Sequence, residues 1–465
     1  MYQATAHQPT AVAAGVREAL SHYDPIQIGM DSRGVPVQWC FPQVANFNAI
    51  FMGGSGAGKT HTLHNMVANV YVRGMTFHII DIKGDFRHEN FVKSGLGHLV
   101  KPEYFNDLVF NYYTDGISLN PLKVPKTVEG GGVFRTIENA IELVKVFNPQ
   151  TGQKQLAYLT EILKRVYSKA GIDHDNMETW TRESPTFATV LEEIDLIVAM
   201  MTSGMDAVSA SKIMGYFAYA RDQALAKVRV LEKDGAMQEQ VSQELIQLSE
   251  DFKGKLGGMV DQLFTYGAIT KQHVFESADW EHWSKESLLS LRSVINVMVD
   301  TRLFTQSIAR PRNGMINRYD LGNLSPRHQQ VIMRIIANQV FAMGVMETKS
   351  KDSFNPKFPA HILVADEGKH IKEISASAIS PFNRIVTEGR GYGVGAWAGV
   401  QSPDQVTKDM MKNSDTSFLL KTPEASVKDI TSMFGAKPAQ LKLLEVKKNA
   451  LFSSGSGYSL VEHFR

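Results

Sequence analysis

Short apolar runs alternate with helically spaced segments at both ends of the chain, and the long middle is helical throughout. Ile26-Gln27-Ile28-Gly29-Met30 and Val35-Pro36-Val37-Gln38-Trp39 alternate in polarity around Asp31-Ser32-Arg33-Gly34, the pattern of a β-hairpin. Asn48-Ala49-Ile50-Phe51-Met52 then reads as a buried strand. From Thr60 to Arg73, Leu63, Met66, Val67 and Val70 recur at helical spacing, and Thr76 to Ile82 reads as a second buried strand. A strand, a helix and a strand of these lengths imply a parallel, right-handed crossover. Leu108-Val109-Phe110-Asn111-Tyr112 is a further short strand, and Ala11 to His22 a short N-terminal helix.

Gly130-Gly131-Gly132 breaks this rhythm. Over roughly 133–300, stripes such as Ile137, Ala140, Ile141, Val144 and Leu156, Leu159, Ile162, Leu163 predict helices with core-facing sides. Strands return at Gly314–Leu321, His361–Glu367, Val394–Gln401 and Thr416–Lys421. Helices are expected at Pro326–Met346 and within Ile379–Arg390, and two late helices and a hairpin around Gly455–Gly457 close the chain. The division is therefore an N-terminal helix and hairpin (1–45), a first core part (46–130), a helical insertion (131–305) and a second core part (306–465). The fold class is α/β, a mainly parallel central sheet carrying a large all-helical insertion.

The chemistry gathers on Gly53-Gly54-Ser55-Gly56-Ala57-Gly58-Lys59-Thr60, which fits the phosphate-loop pattern and stands between the first buried strand and the first helix, the context that pattern needs. Its glycines let backbone N–H groups turn toward phosphate oxygens, and the helix N-terminus adds its dipole. Lys59 would reach the β- and γ-phosphates of ATP, and Thr60 would hold Mg²⁺. His61, the next residue, completes the set of expected nucleotide contacts.

Composition narrows the choices. At 465 residues and 43% hydrophobic content the chain has the make-up of a soluble globular protein of several domains or one elaborated one. A net charge of +1 gives no global sign of a nucleic-acid partner, so any DNA contact must come from a local patch. The single cysteine, Cys40, excludes an intramolecular disulfide and a multi-cysteine metal site. No H-E-x-x-H pair occurs, no signal peptide is expected, and no apolar run approaches the ~20 residues of a membrane span. A cytoplasmic protein, or one peripheral to a membrane machine, is the expectation.

Downstream residues fit the same chemistry. Asp366 and Glu367 end an apolar strand: Asp366 would orient Mg²⁺, and Glu367 would polarise the attacking water. Arg390, in Glu388-Gly389-Arg390-Gly391-Tyr392-Gly393, would neutralise transition-state charge in its own chain or in a neighbouring subunit, or is a plain surface arginine. Gln401 would sense the γ-phosphate or is an ordinary strand terminus. Asp81, Lys83 and Asp85 follow the second strand, on the edge where ligands bind in parallel sheets, or form a polar loop only.

Together these stretches, with Asn120-Pro121-Leu122 and Val400-Gln401-Ser402-Pro403, resemble the HerA–FtsK superfamily of ring-forming ATPases, most closely its HerA-like and conjugative-transfer branches. The resemblance covers about 26–125 and 314–460. It implies a RecA-like P-loop core and a homo-hexamer with active sites between subunits. It makes Lys59, Glu367, Arg390 and Gln401 the catalytic set, with Arg390 a finger acting in trans. It also implies ATP hydrolysis coupled to movement of DNA, or protein, through a central channel. The competing expectations are a secretion or conjugation ATPase that moves protein or nucleoprotein, and a slow ATPase switch acting on a nuclease partner in repair or defence.

Overall fold

Strands with no polar face need cover on both sides, and the buried runs meet that need by lying parallel in the middle of one sheet. The computed structural model describes residues 23–113, 116–126, 131–203, 207–233, 238–263, 283–305, 310–349, 357–374, 380–455 and 457–462. The helix expected at Ala11–His22 lies outside the described residues.

Strands β1 (Ile26–Met30) and β2 (Pro36–Trp39) form the hairpin, whose turn is closed by Asp31 accepting from the N–H groups of Arg33 and Val35. Then come β3 (Ala49–Met52), β4 (Thr76–Asp81), β5 (Phe105–Val109), β6 (Ile316–Asp320), β7 (His361–Ala365), β8 (Val394–Val400), β9 (Thr416–Leu419), β10 (Asn449–Ser454) and β11 (Ser459–Glu462). They form one sheet in the order β2-β1-β11-β10-β9-β3-β8-β7-β4-β6-β5. From β9 to β5 every pairing is parallel, and from β9 to β2 every pairing is antiparallel. This is the expected mainly parallel sheet.

Two details differ from the pattern. The strands β3 and β4 are parallel, yet β8 and β7 lie between them, so the first crossover spans two strands that the chain supplies more than 280 residues later. The strand expected at Leu108–Tyr112 starts earlier, at Phe105. As the outer strand it has no continuous apolar run, and its register comes from pairing with β6, Phe105 opposite Ile316.

The helical stretch also divides. Helix α2 (Gly132–Phe147) belongs to the unit that contains the sheet, as does α1 (Lys59–Tyr71). Residues 150–172 and 182–300 form a separate helical unit. Its core is built from Leu159, Ile162, Val190, Ile194, Leu291 and Ile295, and its buried Glu193 is held by Arg165 and Lys169, each at 2.5 Å. Helix α3 (Pro326–Lys349) lies in the sheet unit. Its segment Pro326–Thr348 has the length and mean hydropathy of a membrane span, although no such run was expected. More than half of it is buried, with Val331, Ile332, Met333, Ile336 and Val340 in the core.

One buried cation organises the polar centre. Arg318 on β6 is 5% exposed and bridges Asp81 on β4 (2.9 Å), Asp107 on β5 (2.5 Å) and Asp320 (3.1 Å). Asp81 in turn accepts the N–H groups of Gly84, Asp85 and Phe86, which fixes the turn leaving β4.

Removing Arg318 would strand two buried carboxylates. Arg318→Met is therefore expected to cost about 3–5 kcal/mol in urea unfolding. Asp107→Asn, at a side chain 51% exposed, should stay within about 1 kcal/mol.

Candidate functional site

Because the strands β3, β8, β7 and β4 run parallel, their C-terminal ends meet at one edge. The loop Gly53–Thr60 leaves β3 there and is tied to its neighbours: Gly53 N–H donates to Val400 (3.1 Å) and Gly54 N–H to Lys421 (2.9 Å). Gly58 sits at φ 110°, a conformation that an L side chain rarely adopts, and caps α1. Lys59 Nζ donates to the carbonyl oxygens of Gly53 (2.9 Å) and Gly54 (3.2 Å). Burial pulls the Lys59 ammonium below its usual value, with Asp366 opposing the shift.

The end of β7 completes the edge. Thr60 Oγ1 donates to Asp366 Oδ2 at 3.0 Å. Burial pushes Asp366 up to about 6, and the Thr60 hydrogen bond and Lys59 pull it back. Its Oδ1 is buried without a hydrogen-bond partner among the described residues. A hydroxyl and a carboxylate with an unused oxygen suit a hard, oxygen-seeking cation, so Thr60 and Asp366 fit Mg²⁺. Glu367 is paired with Lys83 at 2.6 Å, and that pairing raises the Lys83 pKa. Asp85 is raised by burial and by Asp81.

Asp81 itself faces inward to Arg318 and to its own turn. Of the three polar residues after β4, Lys83 thus reaches the site's carboxylates, and Asp81 shapes the loop that carries it. Gln401 follows β8 immediately, one residue from the carbonyl that holds Gly53. It is exposed, and its N–H is held by the Gln405 side chain at 2.8 Å.

Arg390 is elsewhere. Its turn, Gly389–Tyr392, precedes β8, so it lies at the opposite edge of the sheet. Seven strand residues, roughly 20 Å, separate it from the phosphate loop. The exposed guanidinium stands over the Phe47 ring at 5.9 Å, where the chain enters β3. An action of Arg390 on its own chain's phosphate loop, which the sequence left open, is excluded by this placement.

Beside the loop lies a hollow of about 360 Å³ lined by Ala57, Gly58, His61, Leu420, Lys447 and Val461. Ala57, Leu420 and Val461 give it an apolar floor, and His61 stands at its wall. Sequence reasoning missed Leu420, Lys447, the Lys83–Glu367 pair and Gly399. Only Gly399 carried a signal: a glycine inside a buried strand marks a close approach. A Cβ there would stand 1.9 Å from Asp366 Oδ1 and 3.0 Å from its Cα.

No protein-family model and no curated protein matches the chain. Among solved structures, VirB4 of Thermoanaerobacter pseudethanolicus aligns over 95% of this chain and 97% of that one, with a TM-score of 0.54 and 15% identity. The bacterial conjugative coupling protein TrwBΔN70 aligns over 97% and 91%, with a TM-score of 0.48 and 11% identity. At such identity the likeness to VirB4 is one of fold. The fold is the RecA-like P-loop ATPase fold that the resemblance to the HerA–FtsK superfamily implied.

Gly399→Ala is expected to push Asp366 away from Thr60 and to weaken Mg²⁺-dependent binding of a fluorescent ATP analogue about tenfold, a loss of about 1.4 kcal/mol. Anisotropy titration measures the loss, and unchanged far-ultraviolet circular dichroism would place it at the site rather than in the fold.

Proposed function

We propose that the chain is a Mg²⁺-dependent ATPase of the ring-forming HerA–FtsK type, serving a conjugation- or secretion-type machine. The observation that carries this reading is the Thr60–Asp366 hydrogen bond: residues 306 positions apart converge on the phosphate loop. The likeness in fold to VirB4, over nearly all of both chains, supports the choice of machine. The cargo is DNA, protein or nucleoprotein, each of which fits the same fold.

The roles follow from position. The backbone of Gly53 to Gly58 cradles the phosphates, and Lys59 exchanges its two carbonyl partners for β- and γ-phosphate oxygens. Thr60 and Asp366 hold Mg²⁺, which shields phosphate charge when bound. The base of the nucleotide enters the hollow beside His61 and Leu420. Glu367 takes a proton from the attacking water once Lys83 turns from it toward the γ-phosphate, and Gln401 faces that phosphate from β8. Among the described residues, Arg390 lies at the edge of the sheet opposite its own chain's phosphate loop. In a ring it meets the neighbouring subunit's nucleotide and supplies the charge that the phosphate loop lacks.

Glu367→Gln should retain ATP binding and lose steady-state phosphate release, since the amide keeps the shape and removes the base. Normal turnover by this variant would move the base elsewhere, with Asp85 the next carboxylate at that edge.

Arg390→Ala should leave nucleotide affinity intact and cut turnover by roughly 10³–10⁵. Mixing Arg390→Ala with Lys59→Ala subunits should restore part of the rate, because some interfaces then pair an intact loop with an intact finger. Hydrolysis by a strict monomer, unaffected by Arg390→Ala, would overturn the shared site.

A further inference from the structure

On the sheet unit, away from the phosphate loop's hollow, α2, α3, the segment Asn120–Lys126 and the start of α4 (Pro381–Glu388) enclose a cavity of about 1120 Å³. The Asn120-Pro121-Leu122 stretch builds one wall. Asn120 Oδ1 accepts from the Leu122 N–H at 2.9 Å, Leu122 is buried, and Pro121 faces the cavity. This assigns a place to a motif that the ATPase site does not use.

The lining is unlike the rest of the chain. Lys123, Lys126, Arg135, Arg310, Arg334 and Arg384 face three carboxylates, Glu138, Glu142 and Glu388. A whole chain with net charge +1 therefore concentrates a surplus of cations in one cavity. The surplus is felt locally. Burial and then the neighbouring Arg310 and Lys126 depress the Lys123 pKa, and burial and then Arg384 depress that of Arg135. Like charges held together in this way favour the arrival of an anion.

Three more features narrow the anion. Arg334 Nε is buried with no hydrogen-bond partner among the described residues, so a donor awaits an acceptor such as a phosphate oxygen. Gln339 Oε1 is likewise buried and has no hydrogen-bond partner among the described residues, so an acceptor awaits a donor. Between them the floor is apolar: Ile141, Ile335, Ala342 and Met343. Inorganic phosphate offers no apolar face. A nucleotide offers all three: phosphate oxygens, an amino or imino N–H on the base, and a flat apolar ring. The volume also accommodates more than one nucleotide unit.

We propose that this cavity is a second nucleotide-binding site, separate from the phosphate loop, that takes a phosphate-bearing nucleotide unit, either free or as part of a single strand. Arg334 and the rim cations hold the phosphate, and Gln339 and the apolar floor hold the base.

The test uses the full chain and a rim variant, Lys123→Glu with Arg310→Glu, at two positions that are not among the ATPase residues named above. One probe is a short oligothymidylate followed by fluorescence anisotropy. The other is a non-hydrolysable ATP analogue counted by equilibrium dialysis. If the source is a strand, the oligonucleotide binds the parent chain, weakens as salt rises, and loses on the order of tenfold affinity in the variant. If the source is a free nucleotide, the parent chain takes two analogue molecules and the variant one. Basal ATP hydrolysis should be the same in both chains. Arg334→Gln provides a deeper second variant and should follow the same course. A Lys59→Ala chain should keep cavity binding while losing hydrolysis, so failure of the ATPase reading and failure of this one give different results. Equal binding of both probes by the parent and the rim variant would overturn the proposal.

Discussion

A parallel strand has a direction, and every strand paired with it in parallel must end at the same edge. That constraint governs this molecule. The strands from β9 to β5 share one direction, so the phosphate loop after β3, Lys83 after β4, Asp366 and Glu367 after β7, and Gln401 after β8 arrive together although they come from distant parts of the sequence. The same constraint sends Arg390, which precedes β8, to the other edge. A single chain therefore carries the phosphate loop at one edge of the sheet and Arg390, over the Phe47 ring, at the other.

The alignment must hold against its own electrostatics. The centre of the sheet contains the buried carboxylates Asp81 and Asp320, and Arg318 pairs with both and holds them in place. Asp81 passes this order outward through three backbone N–H groups to the turn that presents Lys83. Asp366 is the reverse case. It is a carboxylate whose burial raises its pKa to about 6, with one oxygen on Thr60 and the other unmatched. Such a group costs stability in the free protein and is suited to a cation that shares its site. The core thus pairs Asp81 and Asp320 with Arg318 and leaves one oxygen of Asp366 without a hydrogen-bond partner among the described residues.

A similar imbalance marks the basic cavity between α2 and α3. Its cations outnumber its carboxylates, and a donor and an acceptor among the described residues are left without hydrogen-bond partners beside an apolar floor.

The sequence by itself determined the local chemistry and the elements that bear it. The glycines of Gly53–Gly58 are required by backbone geometry, the apolar runs by burial, and Asp366-Glu367 at a strand end by the edge on which parallel sheets bind ligands. These signals are local, because each needs only a few neighbouring residues. Tertiary structure decided what depends on pairing between distant strands. The order that inserts β8 and β7 between β3 and β4, the start of the outer strand at Phe105, and the contact of Gly399 with Asp366 leave no local trace stronger than one glycine in a strand. Likewise, Asp81 and Lys83 stand two positions apart on the same loop, yet one turns to Arg318 and the other to Glu367, since the partner that each side chain finds comes from another strand.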